Sequence, residues 1–252
     1  MLRNIEGQVA WITGAGSGIG RAAAVALAKV GVRLAVSGRG REALEATADL
    51  VREAGSEALV APADMGRADE VERAWEAVRS HYGRCDILVN AAGLNVPKRS
   101  WSEIDPTGID TVIGVDLNGP FYASRLVLPT MRAQRDGLII QVSSWAGRYV
   151  SKLTGPAYSA AKHGLVALSE SLNQEECGHG IRSCCICPGE VATPIIDKRP
   201  VPVTADDKAR MLQADDLAET ILFVARLPPS VCVNEILISP TWNRGYLEGV
   251  RL

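Results

Sequence analysis

Tyr158 and Lys162 stand four residues apart, and their types and spacing suit proton chemistry. Pro156 lies just inside the start of the helical pattern AYSAAKHGLVAL, where its missing N–H goes unneeded. Helix geometry then sets Tyr158 and Lys162 on one face. A free phenol titrates near ~10, too high for proton transfer at neutral pH, and a neighbouring ammonium favours the phenolate and lowers that value. The preceding stretch supplies a partner. Leu138–Val142 is an apolar, β-prone run, and Ser143 and Ser144 follow it before a turn-rich segment with Gly147 and Gly155. Delivered from a strand end, the Ser144 hydroxyl could hydrogen-bond a substrate oxygen beside the phenol.

A second chemical signature stands near the start. Gln8–Thr13 reads as a strand, Gly14-Ala15-Gly16-Ser17-Gly18-Ile19-Gly20 as a turn, and alanine-rich Arg21–Val30 as a helix. Together they make a phosphate cradle, since glycine lets a ligand approach the backbone and a helix N-terminus presents N–H groups and positive potential. The strict G-x-G-x-x-G fingerprint is not met, because Ile19 stands where its third glycine would be; the pattern is T-G-x-x-x-G-x-G. Val32–Ser37 reads as the second strand and Arg41–Ala54 as a helix. An acid ending that strand would accept a ribose 2′-hydroxyl, and an arginine there would meet a 2′-phosphate. The chain reads Ser37-Gly38-Arg39-Gly40-Arg41. This favours NADP(H), with NAD(H) as the second option.

These pieces need a scaffold, and the rest of the chain supplies one. Ala58–Ala63 is a strand ending at Asp64 and Met65, Arg67–His81 an amphipathic helix, and Asp86–Asn90 a strand opening onto Ala91-Ala92-Gly93. Thr107–Arg132 carries a long helical pattern in which Asn118 sits among apolar neighbours. Ala157–Glu176 is a helix, Ile181–Cys187 a strand closed by Pro188-Gly189-Glu190-Val191-Ala192-Thr193, Ala214–Leu227 a helix and Glu235–Ser239 a last strand. Pro194–Lys208 is proline- and charge-rich with weak periodicity, which suits a mobile lid over about residues 190–212. Strand–helix alternation implies an α/β fold, a doubly wound parallel sheet with helices on both faces. Such sheets bind ligands outside the strands' carboxyl ends at the switch point. No repeat or linker divides residues 1–252, so one dinucleotide-binding and catalytic domain is expected.

Composition narrows the classes. A net charge of −2 leaves no footprint for nucleic acid or anionic membrane. No apolar run approaches the ~18 residues of a membrane span, and MLRNIEGQVAWITG lacks the apolar core of a signal peptide, so the cytoplasm is the expected location. Cys184, Cys185 and Cys187 lie in a strand pattern whose alternation splits them between faces, a poor metal cage. They read as small buried hydrophobes, and no metal site or disulfide framework is expected.

TGAGSGIG, NAAG, Asn118, the serine pair, YSAAK and PGEVAT occur in the order, and at about the spacing, of the short-chain dehydrogenase/reductase (SDR) family, and the chain resembles its single-domain branch from about Gln8 to Glu235. The resemblance implies a Rossmann-like, seven-stranded, three-layer αβα fold and a nicotinamide cofactor. It implies an oxidoreductase that interconverts a carbonyl and a secondary alcohol on a small molecule. Tyr158 would be the general acid/base, Lys162 the group that lowers its pKa and holds the ribose, and Ser144 the donor to the substrate oxygen. Asn118 would hold a water in a relay to Lys162. Cofactor contacts would come from Gly14, Ser17, Gly18, Ile19, Gly20, Arg39, Asp64, Met65, Asn90, Ala91, Gly93, Pro188, Gly189, Val191 and Thr193. Trp145, Tyr149, Asn95, Glu190, Ile195 and Ile196 are candidates for the substrate pocket, and Ser143 reads as structural. The resemblance also implies a homo-oligomer, a tetramer or a dimer. The sequence departs from the family near its end, where EILISPTWNRGYLEG lacks the usual glycine pair. The alternative is a cofactor-binding regulator or scaffold that uses the same fold without turnover.

Overall fold

The apolar runs pair side by side in a computed structural model that describes residues 2–199 and 202–247. The strands are β1 (Val9–Thr13), β2 (Arg33–Ser37), β3 (Ala58–Val60), β4 (Ile87–Asn90), β5 (Gly137–Val142), β6 (Ile181–Pro188) and β7 (Glu235–Ile238). They form one seven-stranded sheet in the order β3-β2-β1-β4-β5-β6-β7, and every neighbouring pair is parallel. Parallel neighbours require crossovers, and helices supply them: α1 (Gly18–Ala28), α2 (Arg41–Glu53), α3 (Ala68–Tyr82), α4 (Pro106–Ile113), α5 (Gly119–Gln134), α6 (Pro156–Glu176), α7 (Ala205–Arg210) and α8 (Ala214–Ala225).

Strand alternation makes two cores. Ala10, Ile12, Leu34, Val36, Ile87, Val89 and Ile140 face one side, where Leu27 of α1, Leu44 of α2 and Leu217 and Ile221 of α8 pack on them. Trp11, Ala35, Leu88 and Ile139 face the other, under Trp75 of α3, Val127 and Met131 of α5, and Leu165 and Leu172 of α6. Strands covered on both faces read as continuous apolar runs, as β1, β4 and β5 do. Cys184 joins the first core, whereas Cys185 and Cys187 share the opposite face with their sulfurs 3.9 Å apart. The expected Rossmann-like three-layer fold is therefore the observed one.

Three departures from the sequence reading bear on the site, the other boundaries moving by one or two residues. Helix α1 begins at Gly18, before the expected Arg21, because the last glycines of the loop are already its first turn. β3 closes at Val60, yet the N–H groups of Ala61 and Ala63 still donate to the Val36 and Gly38 carbonyls at 3.0 and 2.9 Å. The backbone therefore stays bonded to the β2 edge as far as Ala63. The expected helix Thr107–Arg132 is α4 and α5 joined by a π-helical turn, Gly114–Asn118. Wider turns of this kind shift the helix phase and concentrate at functional sites.

Candidate active site

The order of the strands reverses direction between β1 and β4, and a cleft opens at their carboxyl ends. Its volume is about 1330 Å³. Of the residues singled out above, Gly14, Ser17, Gly18, Ile19, Arg39, Asp64, Met65, Ala91, Gly93, Ser144, Tyr158, Lys162, Pro188, Gly189, Val191 and Thr193 line it. All six substrate-pocket candidates line it too. Gly20 and Asn90 do not. Gly20 packs against the loop itself, where an added Cβ would meet the Gly14 carbonyl at 2.5 Å. Asn90 is buried beneath the cleft and donates to Gln141 Oε1 at 3.0 Å.

One end of the cleft suits a nucleotide. Gly14 turns the chain at φ +68°, and a Cβ there would lie 2.6 Å from the Ala92 backbone, so only glycine lets the two loops touch. Ser17 makes no side-chain capping bond and the first turn of α1 holds no acid. The helix N-terminus is thus left to a ligand, with its positive potential uncancelled. Arg39 is exposed at the rim, and Gly38 leaves the space beside it open, since a Cβ there would meet only Leu44 Cδ2 at 3.6 Å. An uncapped helix N-terminus, a rim guanidinium and an open glycine wall fit a phosphate-bearing dinucleotide.

The other end is polar at its floor and aromatic at its mouth. β5 delivers Ser143 and Ser144 to the sheet edge. Ser143 Oγ donates to the Lys162 carbonyl at 2.9 Å, and Ser144 Oγ accepts from the Ala146 N–H at 3.1 Å. Lys162 Nζ donates to the Val142 carbonyl at 3.2 Å and stands 5.4 Å from the centre of the Tyr158 ring. The rings of Trp145 and Tyr149 lie 4.8 Å apart at the mouth. A phenol, a hydroxyl and an ammonium so arranged can give a proton, donate a hydrogen bond and stabilise negative charge at one point.

The electrostatics differ from the sequence expectation. Burial pushes the Tyr158 phenol above the ordinary tyrosine value, and this outweighs the opposing pull of Lys162 and of the Ser144 hydroxyl. A same-face lysine was expected to lower it. The reason for the difference is desolvation, which acts on the phenolate and which spacing along a helix does not report. Burial also works against the Lys162 charge, but Asp116 and Tyr158 carry it above the usual lysine range.

Asn118 is not among the residues that line the cleft. It is partly buried at the end of the π turn. Asp116, two residues earlier, faces Lys162 instead, with Oδ2 3.5 Å from Nζ. Residues two apart along a helical turn do not share a face, so the two side chains point to different sides. The signal available was a second polar residue, and an ionisable one, in the same apolar run. Arg99, Arg199 and Arg244 also line the cleft. Arg99 is buried and its Nε donates to the Val96 carbonyl at 2.8 Å. Burial works against the Glu190 carboxylate, yet bonds from Arg244 and Arg199 hold it below the usual range. Arg99 and Arg199 come from irregular segments and Arg244 from the start of a four-residue helix, Arg244–Leu247, so no periodicity announces a facing side. Within the expected lid, α7 follows a short turn at Ile196–Lys198, and Arg244 reaches Asp207 at 3.4 Å. Pro200 and Val201 of that segment lie outside the described residues.

The comparisons agree with this geometry. The family described as short chain dehydrogenase matches residues 8–201. An uncharacterized oxidoreductase of Staphylococcus aureus (strain USA300) is 31% identical over 233 residues, or 92% of this chain and 97% of that protein. A metagenomic short-chain oxidoreductase, solved in complex with NADP, is 31% identical with a TM-score of 0.82 over 94% of this chain and 99% of that one. The 3-ketoacyl-(acyl-carrier-protein) reductase of Brucella melitensis, solved with NADH, is 28% identical with a TM-score of 0.85 over 95% of this chain and 99% of that one.

Proposed function

The chain belongs to the short-chain dehydrogenase family, and from that membership we propose an NAD(P)-dependent oxidoreductase that interconverts a carbonyl and a secondary alcohol on a small organic molecule. The observation that carries this reading is the convergence of Tyr158, Lys162 and Ser144 on one end of the cleft. NADP(H) is the favoured cofactor. Its phosphates would rest on Gly14–Ile19 at the N-terminus of α1, its 2′-phosphate beside Arg39, and its base by Asp64 and Met65. Ala91, Gly93 and Pro188–Thr193 would hold the remainder. The NADP and NADH complexes of the structural relatives support this assignment and keep NAD(H) as the second option.

Bound there, the nicotinamide supplies or accepts the hydride. The chain's own residues handle the oxygen. In reduction, Tyr158 Oη gives its proton to the substrate oxygen while Ser144 Oγ donates a hydrogen bond to it. Donors already aimed at the oxygen stabilise the negative charge that develops there. In oxidation, Tyr158 takes the alcohol proton back. Burial holds the proton on the phenol at neutral pH, so the resting site carries the acid that reduction needs. Lys162 stays charged and stabilises the phenolate left behind. Trp145 and Tyr149 give the substrate an apolar wall, and the segment at about residues 190–212 serves as its lid. One domain carries both the cofactor and the catalytic groups.

A panel of ketones and secondary alcohols, incubated with NADPH or NADH and followed by the nicotinamide absorbance, tests this. Turnover of at least one carbonyl class is expected. Tight cofactor binding without turnover across the panel would replace the enzyme with a cofactor-responsive binding protein.

A further inference from the structure

Asp116 is fully buried, and no element of the mechanism above uses it. The π turn Gly114–Asn118 carries its side chain inward. Oδ1 accepts the Leu94 N–H at 2.8 Å, while Oδ2 has no hydrogen-bond partner among the described residues and faces Lys162 Nζ as an ion pair at 3.5 Å. Lys162 itself is 3% exposed. A Cβ added to Gly93 would lie 3.4 Å from Nζ and 3.6 Å from Oδ2, so this cleft-lining glycine packs directly against the pair. A buried carboxylate is costly unless it is paired and hydrogen-bonded, and here the pairing falls to the Lys162 ammonium.

We propose that Asp116 is a positioning residue of this site: as a carboxylate it draws the field of the Lys162 ammonium away from Tyr158, and as a neutral acid it leaves that field to the phenol. The proposal rests on the reading of Tyr158 as the proton-transfer group. Lys162 and Tyr158 face Asp116 from α6, and the Leu94 N–H faces it from the loop after β4. Cys185 on β6 acts on Lys162 in turn, and Arg199 acts on Tyr158. Lys162 is the cation that opposes the carboxylate directly.

Burial raises the Asp116 carboxyl to about 6, against the opposing effects of Lys162 and the Leu94 N–H. The carboxylate therefore forms as pH rises through that value. Its charge makes the phenol harder to ionise, because it raises Tyr158. Asp116→Asn keeps the shape and an acceptor for Leu94, and removes the charge.

The experiment is the pH profile of alcohol oxidation by wild type and Asp116→Asn. The limb set by phenol ionisation should move to lower pH by about one unit in the variant, and an inflection near pH 6 should be present in wild type alone. Superimposable profiles, or a shift to higher pH, would overturn the proposal. A phenolate absorbance titration, taken as the difference between each protein and its Tyr158→Phe counterpart, reads the same shift without turnover. The proposal can thus fail or stand separately from the enzymatic reading. Infrared spectra of wild type need no Asp116 variant to fold. They should show a buried protonated carboxyl at about pH 5 that is lost by about pH 8; its absence at the lower pH would also overturn the proposal.

Discussion

Ser143 Oγ donates to the carbonyl of Lys162 at 2.9 Å, joining the end of β5 to the face of α6 that carries Tyr158. This bond fixes the distance between Ser144, the next residue on the strand side, and the phenol on the helix side. Ser143→Ala should cost about 1 kcal/mol of stability, the worth of one ordinary hydrogen bond. It should also slow turnover several-fold with KM little changed, since misplaced donors weaken the transition state more than the bound substrate. Thermal melts and steady-state kinetics check both. An unchanged rate would show that α6 is positioned by packing alone.

Tyr158→Phe removes the only proton carried on the phenol and keeps the ring. A loss of about 10²- to 10⁴-fold in kcat is expected, the usual worth of a positioned general acid. Cofactor affinity should hardly change, which a fluorescence titration can read. A variant that retains most of the wild-type rate would place the acid elsewhere.

Arg39 and Gly38 make a test of cofactor choice. Arg39 is exposed, so its contact with a 2′-phosphate would be screened by salt. Arg39→Ala should weaken NADPH about tenfold at low ionic strength and leave NADH nearly untouched. Gly38→Asp has room, as the nearest atom to its Cβ would be Leu44 Cδ2 at 3.6 Å, and it should reverse the preference. Dissociation constants for both cofactors decide the matter. An equal loss for the two, or tighter NADH binding by wild type, would refute the NADP(H) assignment.

Stability should carry the signature of Asp116. Its carboxyl titrates at 3.8 as the ordinary value and at about 6 in the fold, so protonation favours the folded state. The stabilisation is full below the unfolded value and is lost as pH rises through about 6. The melting temperature of wild type relative to Asp116→Asn should therefore fall between about pH 4 and 7, by an amount equivalent to about 2–3 kcal/mol. Lys162 stays charged throughout that window and does not contribute to the slope. A flat difference curve would mean that the carboxyl titrates normally.

The chain should assemble with copies of itself. Ile109 on α4 and Phe121 on α5 are 37% and 47% exposed, and α6 exposes Ala160 and Ala167 on one stripe with His163 between them, the alanines being small enough to permit close helix approach. Light scattering at micromolar concentration should give a dimer or tetramer mass, and a monomer mass would exclude the assembly.

Local regularity determined what the sequence could show by itself. The period of helix α6 put Tyr158 and Lys162 on one face, the glycine turn between β1 and α1 marked the cradle, and strand–helix alternation implied a parallel sheet covered on both sides. Each of these depends on neighbours a few residues away. The tertiary structure alone placed Asp116 against Lys162, because the π turn resets the phase of the apolar run that holds it. It decided the direction of the Tyr158 shift, since desolvation depends on what the rest of the chain lays over the phenol. It also brought Arg99 and Arg199, from irregular segments, and Arg244, from the start of a short helix, to one cleft. Their meeting is a matter of how distant loops converge on the edge of one sheet, and no spacing along the chain records it.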